Sequence, residues 1–250
     1  MKLLSLDEAD PRDLIDNYLL EIKKGRDGFS KDELYGILFD LFAAGSETTS
    51  TTLRLSKCIK LFKDFFRRWA IIFLILNPDV QRKCHEELDN TPGEVPSLSD
   101  MDSLQYCQAT ILEILRLGST APGTLMHKAL QSVEVGGYTF KKGTLFVGNF
   151  LSTHFDEEYW DEPNQFRPER FLNDDGKILT ETPNFFPFSL GKRVCLGESL
   201  AKVELFLFFT AIVKNFQFDA PSHHNPPDVE DFKIVITKIP SGFYCKLSER

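Results

Sequence analysis

The 250-residue chain is short of several things that would place it quickly. It has five cysteines, Cys58, Cys84, Cys107, Cys195 and Cys245, and no two stand at C-x-x-C spacing. An odd count without ligand spacing argues against a disulfide framework or a zinc site, and favours a reducing compartment. No apolar run reaches the roughly 18–20 residues that a spanning helix needs. The opening "MKLLSLDEADPRD" has too short an apolar stretch for a signal peptide. Basic charge is not in excess: the formal net charge is −8, which weighs against a nucleic-acid partner. Repeats, low-complexity tracts and a convincing domain linker are also missing, so a single domain is expected over 1–250. What is abundant is phenylalanine, at 23 residues. A Phe-rich core suits an apolar ligand or cofactor, although such cores without ligands are commoner.

The first two thirds of the chain read mainly as helix. "DPRDLIDNYLLEIKK" has Pro11 where a first-turn proline fits. "SKDELYGILFDLFAAGSETTSTTLR" opens on Ser30 with Glu33 three residues on, a capping box. Apolar residues cover nearly every face of it, which predicts a central, buried helix. "NPDVQRKCHEELDN" starts with Asn77 as cap and Pro78 as first helical residue, and "LQYCQATILEILRL" is amphipathic. "SVEVGGYTF" then carries Gly136-Gly137 between β-prone runs, a hairpin signal. A proline-studded, aperiodic stretch follows, of a kind that is more often functional than filler. "GESLAKVELFLFFTAIVKNF" is a strongly apolar helix, and the tail "FKIVITKIPSGFYCKLSE" is β-prone. The fold class expected is mainly α with small β-sheets.

Cys195 sits in "NFFPFSLGKRVCLGESLA", just before the last helix. A helix N-terminus carries unpaired N–H groups and partial positive charge, which stabilise a thiolate. Gly191 permits a tight turn, Gly197 lets a flat ligand approach the backbone, and Arg193 offers a fork for a carboxylate. A lone cysteine in a glycine-rich turn is usually structural; here the surrounding residues favour an anionic sulfur that ligates a metal within a large acidic cofactor.

"FSLGKRVCLG" resembles the F-x-x-G-x-R-x-C-x-G haem-binding signature of the cytochrome P-450 family, at Phe188, Gly191, Arg193, Cys195 and Gly197. The resemblance implies that Cys195 is the axial ligand of haem iron and that Arg193 contacts a propionate. Three further motifs agree. "AGSETT" looks like the family's oxygen-activation motif, with Glu47 and Thr48 as the acid–alcohol pair that relays protons. Glu and Thr in mid-helix are poor choices for propensity, and a Thr can bond back and bend the helix beside Gly45. "EILR" and "FRPERF" supply Glu113, Arg116 and Arg170, the family's structural triad beneath the haem. His127, eleven residues before Tyr138, matches a histidine that contacts a propionate in microsomal relatives. The other histidines suggest no role: His85 reads as solvated, and His154, His223 and His224 show no convincing partner.

By the same resemblance the substrate pocket is lined by Phe42, Ala43 and Ala44 beside Glu47, by Thr120, Ala121, Thr124 and Leu125, and by the tail near Ile234 to Ile239. The fold implied is the C-terminal half of a cytochrome P-450. The activity implied is a haem-dependent monooxygenase that inserts one oxygen atom of O₂ into a lipophilic substrate. Its cofactor is haem b, with electrons from NADPH through a reductase, NADPH–cytochrome P-450 reductase, and cytochrome b5 as a second candidate partner. A full-length member sits in the endoplasmic reticulum membrane; this chain shows no anchor and looks like a fragment or partial gene product. Two rival readings stand beside this one: a truncated fragment that binds no haem, and a haem-thiolate isomerase or dehydratase, against which Glu47-Thr48 argues.

One stretch departs from the family. "LSKCIKLFKDFFRR", Leu55 to Arg68, interrupts the long helix. Its fourteen residues are close to four helical turns, so it could extend the helix almost in phase by roughly 21 Å. It could also fold out as a basic amphipathic helix for a membrane or a partner. A retained intron or gene-model error is the reading favoured.

Overall fold

The structure, a computed structural model, describes residues 7–53, 69–234 and 237–250, with backbone only for 47–53. The insert at 55–68 and Cys58 therefore lie outside the described residues. The chain divides into two compact units, Met1–Glu47 and Thr48–Arg250.

The first unit is built on α1 (Leu14–Lys23) and the start of α2 (Lys31–Leu53). The α1 helix begins later than Pro11 suggests. Asp13 has extended backbone and accepts the Asp16 N–H at 3.0 Å, so it caps the helix and leaves the proline outside. The Ser30 hydroxyl accepts the Glu33 N–H at 3.2 Å, the serine arm of the expected capping box. Tyr18, Leu19 and Leu34 form a small core, flanked by Ile37 and Leu38. The remaining described face of α2 is exposed, including Tyr35, Phe39 and Phe42. All-round burial, expected from its all-round apolarity, is thus corrected: among the described residues of α2 only one face is covered.

The second unit is a helical core with ribbons at its margins. It contains α3 (Trp69–Leu76), α4 (Pro78–Asp89), α5 (Gln105–Gly118), α6 (Phe150–His154) and α7 (Glu198–Asn215). Among the described residues, antiparallel pairs accompany them: β1 (His127–Lys128) with β4 (Leu145–Phe146), β2 (Val133–Val135) with β3 (Tyr138–Phe140), β5 (Phe216–Asp219) with β8 (Lys246–Glu249), and β6 (Phe232–Ile234) with β7 (Lys238–Pro240). The β2–β3 turn is Gly136-Gly137, at φ +56° and +81°, the left-handed pair that a two-residue hairpin requires. The architecture is mainly α with small sheets, as the sequence predicts.

Aromatic packing fills this core. Phe73 of α3 stacks on Phe166 at 4.8 Å, and Phe206, Phe209 and Phe218 are buried around α7. Polar clamps set the frame. Gln81 of α4 exchanges two hydrogen bonds with Phe218, donating to its carbonyl at 2.9 Å and accepting its N–H at 2.8 Å. The Glu87 carboxylate accepts the N–H groups of Tyr106 and Cys107, each at 2.8 Å. Those are free donors of the first turn of α5, and a carboxylate there also complements the helix dipole. His85, read from sequence as solvated, is buried, because its face of α4 turns toward the core with Cys84 and Leu88.

Candidate functional site

Three charged residues meet under the proline-rich segment. Glu113 and Arg116 project from one face of α5, three residues apart. The Arg116 guanidinium donates Nε to Glu113 Oε2 at 2.7 Å and Nη2 to Oε1 at 2.8 Å. Arg170, in the 3₁₀ turn Pro168–Phe171, donates Nε to Glu113 Oε1 at 3.0 Å. The Arg167 N–H adds a fourth bond to that carboxylate, at 2.9 Å. Glu113 and Arg116 are wholly buried. Buried charge is tolerable only when fully paired, and the remaining donors are used. Arg116 Nη1 reaches the His154 carbonyl at 2.7 Å, and Arg170 reaches the carbonyls of Asp161, Glu162 and Gln165 at 3.0–3.2 Å. Burial pulls the Arg170 pKa below its ordinary value, with Glu113 opposing that pull. Arg116 and Arg170 also lie over the Trp160 ring, at 5.0 and 5.7 Å.

The cysteine loop lies next to this lock. Its turns use unusual backbone: Asn184, Ser189 and Gly191 have φ of +62°, +68° and +65°. Gly191 and Asn184 tolerate this region, whereas Ser189 is held there by its surroundings. Gly191–Arg193 forms a 3₁₀ turn, and Gly197 caps α7. The Cys195 N–H is tied to the Phe188 carbonyl at 2.8 Å, which fixes the backbone while the side chain stays exposed. A Cβ added at Gly197 would meet only the Cys195 sulfur, at 4.0 Å, so the space beside the sulfur is open. Leu190, Val194 and Leu196 are exposed around it, Leu196 at 87%. A groove of about 390 Å³ runs along the loop, lined by Phe186, Phe188, Leu190, Gly191, Val194 and Lys202. An exposed thiol on an apolar rim, with Arg193 exposed two residues away, fits a large flat cofactor with acidic edges. Among the described residues there is no cluster of three or more His, Cys, Asp or Glu that could hold a metal ion by itself.

The other predicted residues are placed as follows. His127 is half-buried in β1, opposite Phe146. Helix α2 continues unbroken through Gly45 to Leu53, but the side chains of Glu47 and Thr48 lie outside the described residues. Phe42, Ala43 and Ala44 are exposed on α2 in the first unit. Thr120, Ala121 and Thr124 are half-buried and Leu125 is exposed in the second. Two of the segments expected from sequence to line a pocket are joined: the Lys238 N–H bonds the Thr120 carbonyl at 2.8 Å. The tail is less uniformly apolar than it reads. Lys238 is buried, its ammonium 4.4 Å from the Phe232 ring and 4.7 Å from that of Trp69, and burial lowers its pKa.

Sequence reasoning missed His154. It is wholly buried, with Nδ1 2.8 Å from the Ser119 hydroxyl and Nε2 accepting the Phe186 N–H at 3.1 Å. Burial first, and the Arg116 guanidinium second, bring its pKa down to about 4. Its partners stand 35 and 32 residues away, so no local spacing points to them. The one local hint is Phe150 four residues earlier, whose ring stacks on the imidazole at 6.4 Å.

Among the described residues, a helical fold presents the Cys195 thiol on an open apolar rim, with a buried Glu–Arg–Arg lock beside it. Comparison with known proteins makes this specific. The family model for cytochrome P450 matches residues 2–247. Cytochrome P450 2U1 of Mus musculus is 38% identical over 98% of this chain and 45% of its own length. The steroid 17-alpha-hydroxylase/17,20 lyase of Ictalurus punctatus is 40% identical over 84% of the chain and 39% of its own length. A zebra fish cytochrome P450 solved with abiraterone superposes with a TM-score of 0.84 at 34% identity, over 100% of this chain and 57% of that one. This chain belongs to the cytochrome P450 family. It spans less than half the length of the curated relatives it matches.

Proposed function

We propose that the chain carries the cofactor-binding part of a haem-thiolate monooxygenase acting on a lipophilic substrate. One oxygen atom of O₂ enters the substrate, the other leaves as water, and two electrons come from NADPH through a reductase, with cytochrome b5 as a second electron partner. The observation that carries this reading is the exposed Cys195 thiol, held by its backbone beside the open face of Gly197 at the start of α7. When bound, haem would supply the redox iron for O₂ chemistry, and Cys195 would hold it. Arg193 and His127 hold the propionates. The apolar rim of Leu190, Val194 and Leu196 excludes water from the sulfur side. By the family's pattern Glu47 and Thr48 would hold and pass protons, and Phe42 to Ala44 and Thr120 to Leu125 are each candidate substrate contacts. A full-length member would act at the endoplasmic reticulum membrane; among the described residues no helix is long and apolar enough to cross one.

The test is a carbon-monoxide difference spectrum of the reduced, haem-reconstituted chain. A Soret band at the thiolate-ligated position is expected, and Cys195→Ser should abolish it. Retention of the band in that variant would remove Cys195 as ligand, and no haem uptake by the parent would remove the reading altogether.

A further inference from the structure

His154 joins two parts of the molecule that are far apart in the chain. Its backbone carbonyl accepts Arg116 Nη1 at 2.7 Å, and its ring meets Ser119, whose hydroxyl donates to the Arg116 carbonyl at 2.7 Å. On this side it touches the helix that bears Glu113 and Arg116 at two points. On the other side Nε2 accepts the Phe186 N–H at 3.1 Å, inside the cysteine loop. From there the connection continues through the backbone. The Phe186 carbonyl accepts the Ser189 N–H at 3.1 Å, and the Phe188 carbonyl accepts the Cys195 N–H at 2.8 Å. The Phe185 and Phe150 rings lie 5.7 and 6.4 Å from the imidazole.

We infer that His154 is a positioning residue: as a neutral ring protonated on Nδ1, it transmits the fixed geometry of the Glu113–Arg116–Arg170 lock to the loop that aims Cys195. The tautomer follows from the partners. A backbone N–H can only donate, so Nε2 carries no proton; Nδ1 then carries it and donates to Ser119 Oγ. The Ser119 proton is in turn committed to the Arg116 carbonyl. Each bond in the relay therefore has one allowed direction, and a protonated ring would set a donor against the Phe186 N–H. Burial and the nearby Arg116 charge oppose that protonation. A second feature shows why the loop needs an external hold. Ser189, three residues after Phe186, sits at a left-handed φ of +68° that residues other than Gly, Asn and Asp adopt reluctantly. The Phe186 carbonyl, which accepts the Ser189 N–H, lies beside this strained position. The role of the loop rests on the proposed function, but the relay itself is tested without haem.

Two substitutions divide the ring's duties. His154→Gln places an amide oxygen near the former Nε2 and can still accept from Phe186. His154→Asn places its amide near the former Nδ1 and reaches Ser119 only. Amide hydrogen exchange of the full 250-residue chain then reads the loop directly. In His154→Asn, exchange at Phe186, Ser189 and Cys195 should accelerate about tenfold while Leu115 in α5 stays unchanged; His154→Gln should remain within about threefold of the parent throughout. If the two variants behave alike, both quiet at 186–195 or both loosened through α5 as well, the inference is wrong. The unsubstituted chain supplies a test that does not depend on variant folding: imidazole ¹⁵N shifts should show Nδ1 protonated and Nε2 bare near neutral pH. The opposite tautomer, or a charged ring, overturns the proposal. Failure of the parent chain to take up haem would end the haem reading and leave these exchange results standing.

Discussion

The two sides of the cysteine loop are built on opposite principles. Behind it, Glu113, Arg116 and His154 are buried and Arg170 is half-buried with its side chain covered, and their polar atoms are matched to partners at 2.7–3.2 Å, with one longer contact from Arg116 to the Gln165 carbonyl at 3.5 Å. In front, Cys195, Arg193 and Leu196 are exposed on an open rim. A reactive group needs room for a ligand, and room costs packing. The compensation is placed on the rear side, where paired charges and a neutral histidine hold the strained backbone. Rear substitutions should therefore act on stability, and front substitutions on cofactor binding.

The sharpest way to break that contrast is at Glu113. Glu113→Gln leaves two buried guanidiniums without a counter-charge, and a loss of about 3–5 kcal/mol is expected. Urea unfolding followed by circular dichroism measures it; a midpoint equal to the parent's would refute a rear side built on paired charge. Next in size is the pH dependence from His154. Its folded-state pKa is about 4, against 6.5 for the ordinary group. The unfolded chain therefore binds a proton that the folded chain refuses between those values. Stability from this group is complete above pH 6.5 and falls as pH drops toward 4, by about 3 kcal/mol in total, then levels off. Unfolding midpoints across that window should show the slope, and His154→Gln should lack its share of it.

A smaller effect is expected at Gly118, at the end of α5. An added Cβ there would lie 2.9 Å from Trp69 Cγ. Gly118→Ala should cost about 1–3 kcal/mol, read as a lowered thermal midpoint. The smallest stability change belongs to the front. Cys195→Ser should stay within about 0.5 kcal/mol of the parent, because the side chain it replaces is exposed. A large loss there would mean that the thiol is structural and that the two faces are not distinct.

Legibility from sequence followed the same division. The Cys195 loop could be read because Gly191, Arg193 and Gly197 stand within seven residues and each has a local reason, while Phe188 entered only through the family signature. The Gly136-Gly137 hairpin and the Asn77-Pro78 helix start were readable for the same cause. Glu113 and Arg116 share a helix face by spacing alone. Where helix faces had to be assigned to a side of the protein, reading was less secure. His85 looked solvated in a charged helix and is buried, and α2 looked buried throughout and shows an exposed face. Lys238 sits among aromatic rings in a tail that reads as apolar.

The amino-acid sequence by itself determined the local elements: the helices, the two-glycine hairpin, the cysteine turn and the i, i+3 pairing of Glu113 with Arg116. These depend on backbone propensity and on neighbours a few residues apart. Tertiary structure alone decided what stands behind the cysteine. His154 meets Ser119 and Phe186 across 35 and 32 residues, and Arg170 meets Glu113 across 57. Such partnerships form only when the loops close, because a buried charge or imidazole is stable solely where the folded chain supplies all of its hydrogen-bond partners at once.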